Sequence, residues 1–143
     1  MHNLTFLELE PIKLPLVSKL YKEHYPAGRP KRGETIFIVK SDQVLIGAVR
    51  FQITDNAQLL TGMLIHPEFR GLGIGHLLLE HCKKQISATK CYCFSFPHLT
   101  NFYYQHHFEE ISENQLPESL RGRFKRYVDS GKQLHSLQFK MKS

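Results

Sequence analysis

Hydrophobic residues nowhere run on for the roughly 18 positions that a membrane-spanning helix needs, and MHNLTFLELEP lacks the basic start and long apolar centre of a secretory leader. The expectation is a cytoplasmic protein with no membrane association. Cysteine is scarce: Cys82, Cys91 and Cys93 are odd in number, and CYC places two of them on one face of a strand, which fits packed, reduced thiols better than a disulfide framework. Paired CxxC spacing is missing, which argues against a zinc site, and the adjacent His106 and His107 diverge by about 100° on a helix. No metal is expected. Two phosphate-binding patterns are also absent: GLGIG does not complete GxGxxG, and no GxxxxGK precedes a serine or threonine. Without a helix-turn-helix or RNP-type pattern, nucleic acid is an unlikely partner. There is no internal repeat, low-complexity tract or linker.

What is present fits one domain over residues 1–143, with 41% hydrophobic and 22% charged residues around a single core. The net charge of +6 favours anionic or phosphate-bearing partners. Two clusters carry much of it: GRPKRG, with Arg29, Lys31 and Arg32 in a Pro/Gly-rich loop, and RGRFKRY, with Arg121, Arg123, Lys125 and Arg126.

Along the chain, LTFLELEP reads as a strand ended by Pro11, and LPLVSKLYKEHY as a helix with Leu16, Leu20 and Tyr21 on one side, stopping before Pro26. TIFIVK and QVLIGAVRFQIT are β-branched and aromatic runs separated by Ser41-Asp42, a hairpin signal. AQLLTGMLIHP is a further strand after the turn-prone TDN. From Gly73 the period changes, and Ile74, Leu77, Leu78, Cys82 and Ile86 mark one amphipathic helix with Lys83 and Lys84 in its last turns. CYCFSF is a buried strand, so strand, helix and strand here imply a right-handed crossover with the two strands parallel or splayed. HLTNFYYQHHF is a second amphipathic segment carrying Leu99, Phe102 and Tyr103. EEISENQLP reads as strand and turn, Leu120 to Val128 as a basic helix, and Leu134, Leu137, Phe139 and Met141 as a strand of imperfect alternation.

The glycines of HPEFRGLGIGH stand where a strand gives way to a helix. A helix N-terminus presents unpaired N–H groups and partial positive charge, so bare backbone there suits a phosphate, with Arg70 able to hold an anion or brace the loop. The bland alternative is a turn that simply needs flexible residues.

Taken with the strand ending Ile65-His66-Pro67, the run Arg70-x-x-Gly73-x-Gly75 resembles the acyl-CoA motif of the GCN5-related N-acetyltransferase (GNAT) superfamily, Q/R-x-x-G-x-G/A. The order of elements is similar too, from about Thr5 to about Phe108. The resemblance implies an α/β fold whose central mixed, mostly antiparallel sheet has splayed fourth and fifth strands and flanking helices. It implies acetyl-CoA as acyl donor and an amine acceptor of unidentified kind, served by direct transfer. The backbone of Met63, Leu64 and Ile65 would pair with pantetheine, and the amides of Gly71, Leu72, Gly73, Ile74, Gly75 and His76 would hold the pyrophosphate behind Arg70. For the 3′-phosphate, Lys83, Lys84 or a loop residue could serve.

Acyl transfer needs a neutral amine, a stabilised oxyanion and a proton for the departing thiolate. The family often places a tyrosine acid four residues before a Gly-Phe pair; here the pair is His107-Phe108 and the matching position Tyr103, with Tyr104 selected by a one-residue shift. The bland alternative is that Phe102 and Tyr103 simply pack the helix on the sheet. Phe96 stands where many relatives carry Asn, so Asn101 is the candidate for a pantetheine contact. No carboxylate lies on the fourth strand, which leaves His66, His98 or water as base. A CoA-binding module without catalysis and a basic RNA- or ribosome-associated protein are the competing functions. A monomer or a homodimer is compatible with all of these.

Overall fold

The computed structural model describes residues 3–25 and 28–140, so Pro26 as helix stop and Met141 in the last strand lie outside the described residues. Its elements are β1 (Leu4–Glu8), α1 (Leu14–His24), β2 (Thr35–Ser41), β3 (Val44–Thr54), β4 (Ala57–Ile65), α2 (Ile74–His81), α3 (Lys83–Ala88), β5 (Lys90–Ser95), α4 (Thr100–Tyr104), β6 (Phe108–Glu110), α5 (Glu118–Asp129) and β7 (His135–Phe139). Seven strands form one mixed sheet in the order β1-β2-β3-β4-β5-β7-β6. β4 and β5 run parallel, as a strand-helix-strand crossover requires, whereas β1–β2, β2–β3, β5–β7 and β6–β7 are antiparallel. The fold class read from the sequence, mixed α/β with a mostly antiparallel sheet and flanking helices, is the one observed.

The chain divides into two compact units, Met1–Gln52 with Thr61–Lys83, and Ile53–Leu60 with Lys84–Ser143. In the first, Val17, Leu20 and Tyr21 of α1 pack with Ile36 and Ile38 of β2, Ala48 of β3 and Leu64 of β4. Leu16 is not part of this face: it is 60% exposed, and Val17 takes the buried position one helical step on. In the second, Ala57 and Leu59 of β4 and Tyr92 of β5 pack with Leu120 and Phe124 of α5.

The β2–β3 hairpin turns one residue later than Ser41-Asp42 suggested. Asp42 and Gln43 occupy the loop with φ of 49° and 73°, the left-handed pair that matches the twist of the flanking strands. Ser41 is buried at the end of β2 instead.

The single helix expected over Ile74 to Ile86 is two. At Cys82 the backbone bends (φ −92°, ψ 2°) and its N–H is shared between the carbonyls of Leu78 and Leu79, closing α2 before α3 begins. Lys83 and Lys84 therefore open α3, where cations do not complement the dipole, rather than closing a longer helix. Along α2, Ile74, Leu78, Leu79 and Cys82 are buried, and Leu77 is 45% exposed. The apolar stripe thus runs through Leu79, leaving Leu77 at its edge.

All three thiols are buried and unbridged. Burial pushes Cys82 up to about 12, far from the range in which a thiol is reactive. No helix among the described residues is long and apolar enough to cross a membrane.

His107 has a φ of 67°. A side chain in that left-handed conformation costs about 1–2 kcal/mol, partly offset in a comparison with glycine by the latter's greater freedom when unfolded, about 0.5–1 kcal/mol. His107→Gly should therefore stabilise the protein by about 0.5–1 kcal/mol. A urea midpoint that stays put or falls would show that the His107 ring, 6.4 Å from that of Phe139, gives back more than the backbone loses.

Candidate active site

The glycines of the motif lie in the turn between β4 and α2. Pro67–Phe69 form one turn of 3-10 helix, and the chain then passes through Gly71 (φ 79°) and Gly73 (φ 78°) into α2. A Cβ placed on either glycine would meet nothing within 4 Å, so packing does not require glycine there; the left-handed backbone does. The first helical bond joins Leu77 N–H to the Gly73 carbonyl, and Gly73 offers no side-chain cap. The amides of Ile74 and Gly75 thus precede the helical ladder at the positive end of its dipole. Gly71, Leu72 and Gly73 are exposed, Gly75 and His76 half-buried, and Ile74 alone is anchored in the core.

Arg70 braces this loop: its Nε donates to the Ile65 carbonyl at 2.9 Å while the residue stays exposed. Leu64 is buried, with Met63 and Ile65 half-buried on either side. The His66 amide donates to Ile46 of β3 at 2.7 Å. By the alternation of a strand, Leu64 and His66 turn their peptide groups toward β3, and Met63 and Ile65 turn theirs to the opposite edge. The parallel ladder on that edge pairs Ala57–Leu60 with Lys90–Cys93.

His66 is occupied by the turn itself. Its Nδ1 accepts the Glu68 amide at 3.1 Å, which places the proton of the neutral ring on Nε2. The ring also meets His24 edge-on, with centroids 4.6 Å apart. A proton reaching Nδ1 would cost the bond to Glu68.

On α4, Tyr103 is 5% exposed and Tyr104 41%. Tyr103 packs edge-on against Phe102 and Phe108. Its hydroxyl is hydrogen-bonded to the Cys93 thiol, which burial pushes up to about 12 and this bond pulls down. Phe102 is half-buried and Leu99 exposed, so the buried side of this segment is narrower than its sequence suggested. Asn101 is exposed, as are Phe96 and His98, whose rings stack 6.0 Å apart. Among the described residues no group of three or more His, Cys, Asp or Glu is placed to hold a metal.

One polar assembly escaped the sequence reading. Arg50 and Glu34, each 4% exposed at the side chain, form an ion pair at 3.1 Å. Glu34 also accepts from the Lys31 amide and from Gln52 Nε2. Arg50 Nη1 donates to the Gly28 carbonyl at 2.8 Å, and its guanidinium lies 4.8 Å from the Tyr21 ring. The Tyr21 hydroxyl donates to the carbonyl of Gly62, where β4 kinks with φ 65°. Burial raises the pKa of that hydroxyl, against the opposing pull of Arg50. An arginine between Val49 and Phe51 in a largely apolar strand was the available signal.

A family model described as an acetyltransferase (GNAT) domain matches residues 32–110, more than half of the chain. The chain belongs to the GNAT acetyltransferase family. No curated protein matches it in sequence. Among solved structures, this GNAT protein resembles N-acetylglutamate synthase from Neisseria gonorrhoeae, complexed with coenzyme A and N-acetyl-glutamate, at 18% identity and a TM-score of 0.74. That match covers 97% of this chain and 36% of the synthase, so the chain spans about a third of that protein's length. It also resembles Arabidopsis thaliana Naa50 in complex with the bisubstrate analogue CoA-Ac-MVNAL (14% identity, TM-score 0.69, covering 96% of this chain and 99% of that one). A third neighbour is the ribosomal-protein-S18-alanine N-acetyltransferase of Escherichia coli (14% identity, TM-score 0.66, covering 99% and 97%). At these identities the likeness is one of fold.

Proposed function

We propose that this protein is a cytoplasmic N-acetyltransferase that moves an acetyl group directly from acetyl-CoA to an amine. The observation that carries the reading is the pair of left-handed glycines, open above their backbone, leading into the uncapped start of α2. Amides from Gly71 to His76 would hold the pyrophosphate there, with Arg70 bracing the loop at its entrance. Met63 and Ile65, whose peptide groups face away from β3, would pair with the pantetheine arm.

In the reaction the amine lone pair attacks the thioester carbonyl carbon, the C–S bond breaks, the departing sulfur takes a proton, and the amine loses one. Tyr103 is the proposed donor to sulfur, because a phenol hydroxyl can give its proton to a departing thiolate. Its register is supported by His107, which adopts the left-handed turn that the family's glycine would, directly before the buried Phe108. The proton from the amine goes to water, since the Nδ1 of His66 is engaged.

Acetyl-CoA at a hundredfold excess over its Kd should stabilise the protein by about 2.7 kcal/mol, a rise of several degrees in Tm. No shift at saturating acetyl-CoA overturns the reading. A shift without turnover on a broad amine panel would make the protein a CoA-binding module instead.

A further inference from the structure

The two basic clusters have different fates. In the C-terminal one, Arg121 donates to the carbonyls of Asn114 and Leu116, and Arg123 donates to the Tyr127 hydroxyl and lies over its ring at 6.0 Å. Those two cations hold α5 and the turn before it, and of that cluster's cations only Lys125 and Arg126 are left exposed. In the Gly28–Glu34 loop, Arg29, Lys31 and Arg32 are all exposed. The only acid of that loop, Glu34, is turned inward and neutralised by Arg50. Its outer face is therefore left with three cations and no counter-charge from within the loop.

The loop is also held in place. Arg50 Nη1 binds the Gly28 carbonyl at 2.8 Å, and a Cβ on Gly62 would sit 3.0 Å from the same nitrogen. At the other end Glu34 is fixed by Gln52 and Arg50. One buried guanidinium thus lies against both the start of the loop and the kink of β4, one residue before Met63. Buried, oppositely charged anchors that direct a loop's remaining cations outward suit the recognition of an anion whose amine is to be presented at β4. Arginine forks bind carboxylate and phosphate oxygens in paired hydrogen bonds, and lysine adds a point charge.

We infer that the Gly28–Glu34 loop recognises the acceptor, and that the acceptor is an amine carrying an oxyanion, carboxylate or phosphate, close to its amino group. This rests on the acetyltransferase reading and names its substrate class.

The test measures kcat/KM with acetyl-CoA on matched acceptors: aspartate and glutamate against asparagine and glutamine, phosphoethanolamine against ethanolamine, and a peptide beginning with Asp-Glu against one beginning with Asn-Gln. Each is run on the wild type and on the triple variant Arg29→Glu, Lys31→Glu, Arg32→Glu, with the acetyl-CoA Tm shift measured alongside. At least one anionic acceptor should exceed its neutral partner about tenfold, and the variant should lose that preference with its acetyl-CoA shift intact. The arm that shows the preference tells carboxylate from phosphate and a free amino acid from a peptide.

Equal turnover of anionic and neutral partners, an unchanged preference in the variant, or no turnover of any anionic amine by a protein that binds acetyl-CoA overturns the inference. Binding of RNA that the variant loses, together with indifference to acceptor charge, overturns it in favour of a nucleic-acid role for the loop. Failure of the acetyl-CoA shift itself is a separate result, and it falls on the acetyltransferase reading.

Discussion

Arg50→Met should destabilise the protein by about 3–5 kcal/mol, because it leaves the carboxylate of Glu34 buried without its cation. The side-chain exposure of only 4% on each partner is what makes the effect large. At the surface the same 3.1 Å pair would contribute well under 1 kcal/mol. Glu34 keeps two donors in the variant, the Lys31 amide and Gln52 Nε2, so part of the loss is relieved. The double variant Arg50→Met, Glu34→Gln removes both charges and should be less destabilised than the two single losses added together. Urea unfolding of the four proteins closes the cycle, and the m-value checks that the unfolding transition keeps its character. A cost below about 1 kcal/mol for Arg50→Met would mean that the loop is held by its backbone turns and not by the ion pair.

Tyr103→Phe should lower kcat at least about a hundredfold while the acetyl-CoA-induced Tm shift is retained, since removal of a general acid touches the transition state and not donor binding. The ring remains, with its edge contacts to Phe102 and Phe108. Loss of the hydroxyl also breaks the bond to the Cys93 thiol, so a stability change on the order of 1 kcal/mol is expected and must be measured separately. Tyr104→Phe, at an exposed neighbouring position, is the comparison and should turn over normally. If the Tyr103 variant keeps more than half of its turnover, the proton comes from elsewhere. If the Tyr104 variant loses its turnover instead, the register is one residue off.

The strands, α1 and α5 were readable because each buries a face at a period of two or of about 3.6, and Pro11 and the Gly-rich turn before α2 punctuate them. Arg70-x-x-Gly73-x-Gly75 was readable for another reason: backbone in the left-handed region favours glycine and so leaves a compositional trace. What escaped were choices that periodicity does not fix. Leu77 and Leu79 flank the same helical stripe, and in the folded chain Leu79 is buried while Leu77 is exposed. Ser41-Asp42 and Asp42-Gln43 are both acceptable turns, and pairing of Val44 with Ser41 selects the second. The break at Cys82 has no proline or glycine to announce it.

By itself, then, the sequence determined the fold family and the position of the glycine turn that opens α2, since both follow from local rules: side-chain period, glycine at left-handed φ, and the start of an amphipathic helix there. Tertiary structure alone decided what becomes of each charge. Arg50, Glu34 and Tyr21 meet from β3, the loop end and α1, and Arg50 also contacts Gly28 across 22 residues. The Glu34 side chain is therefore buried while Arg29, Lys31 and Arg32 are exposed, although all four lie within six consecutive residues. A buried charge needs a partner, and the partner is supplied by whichever strand the fold brings alongside.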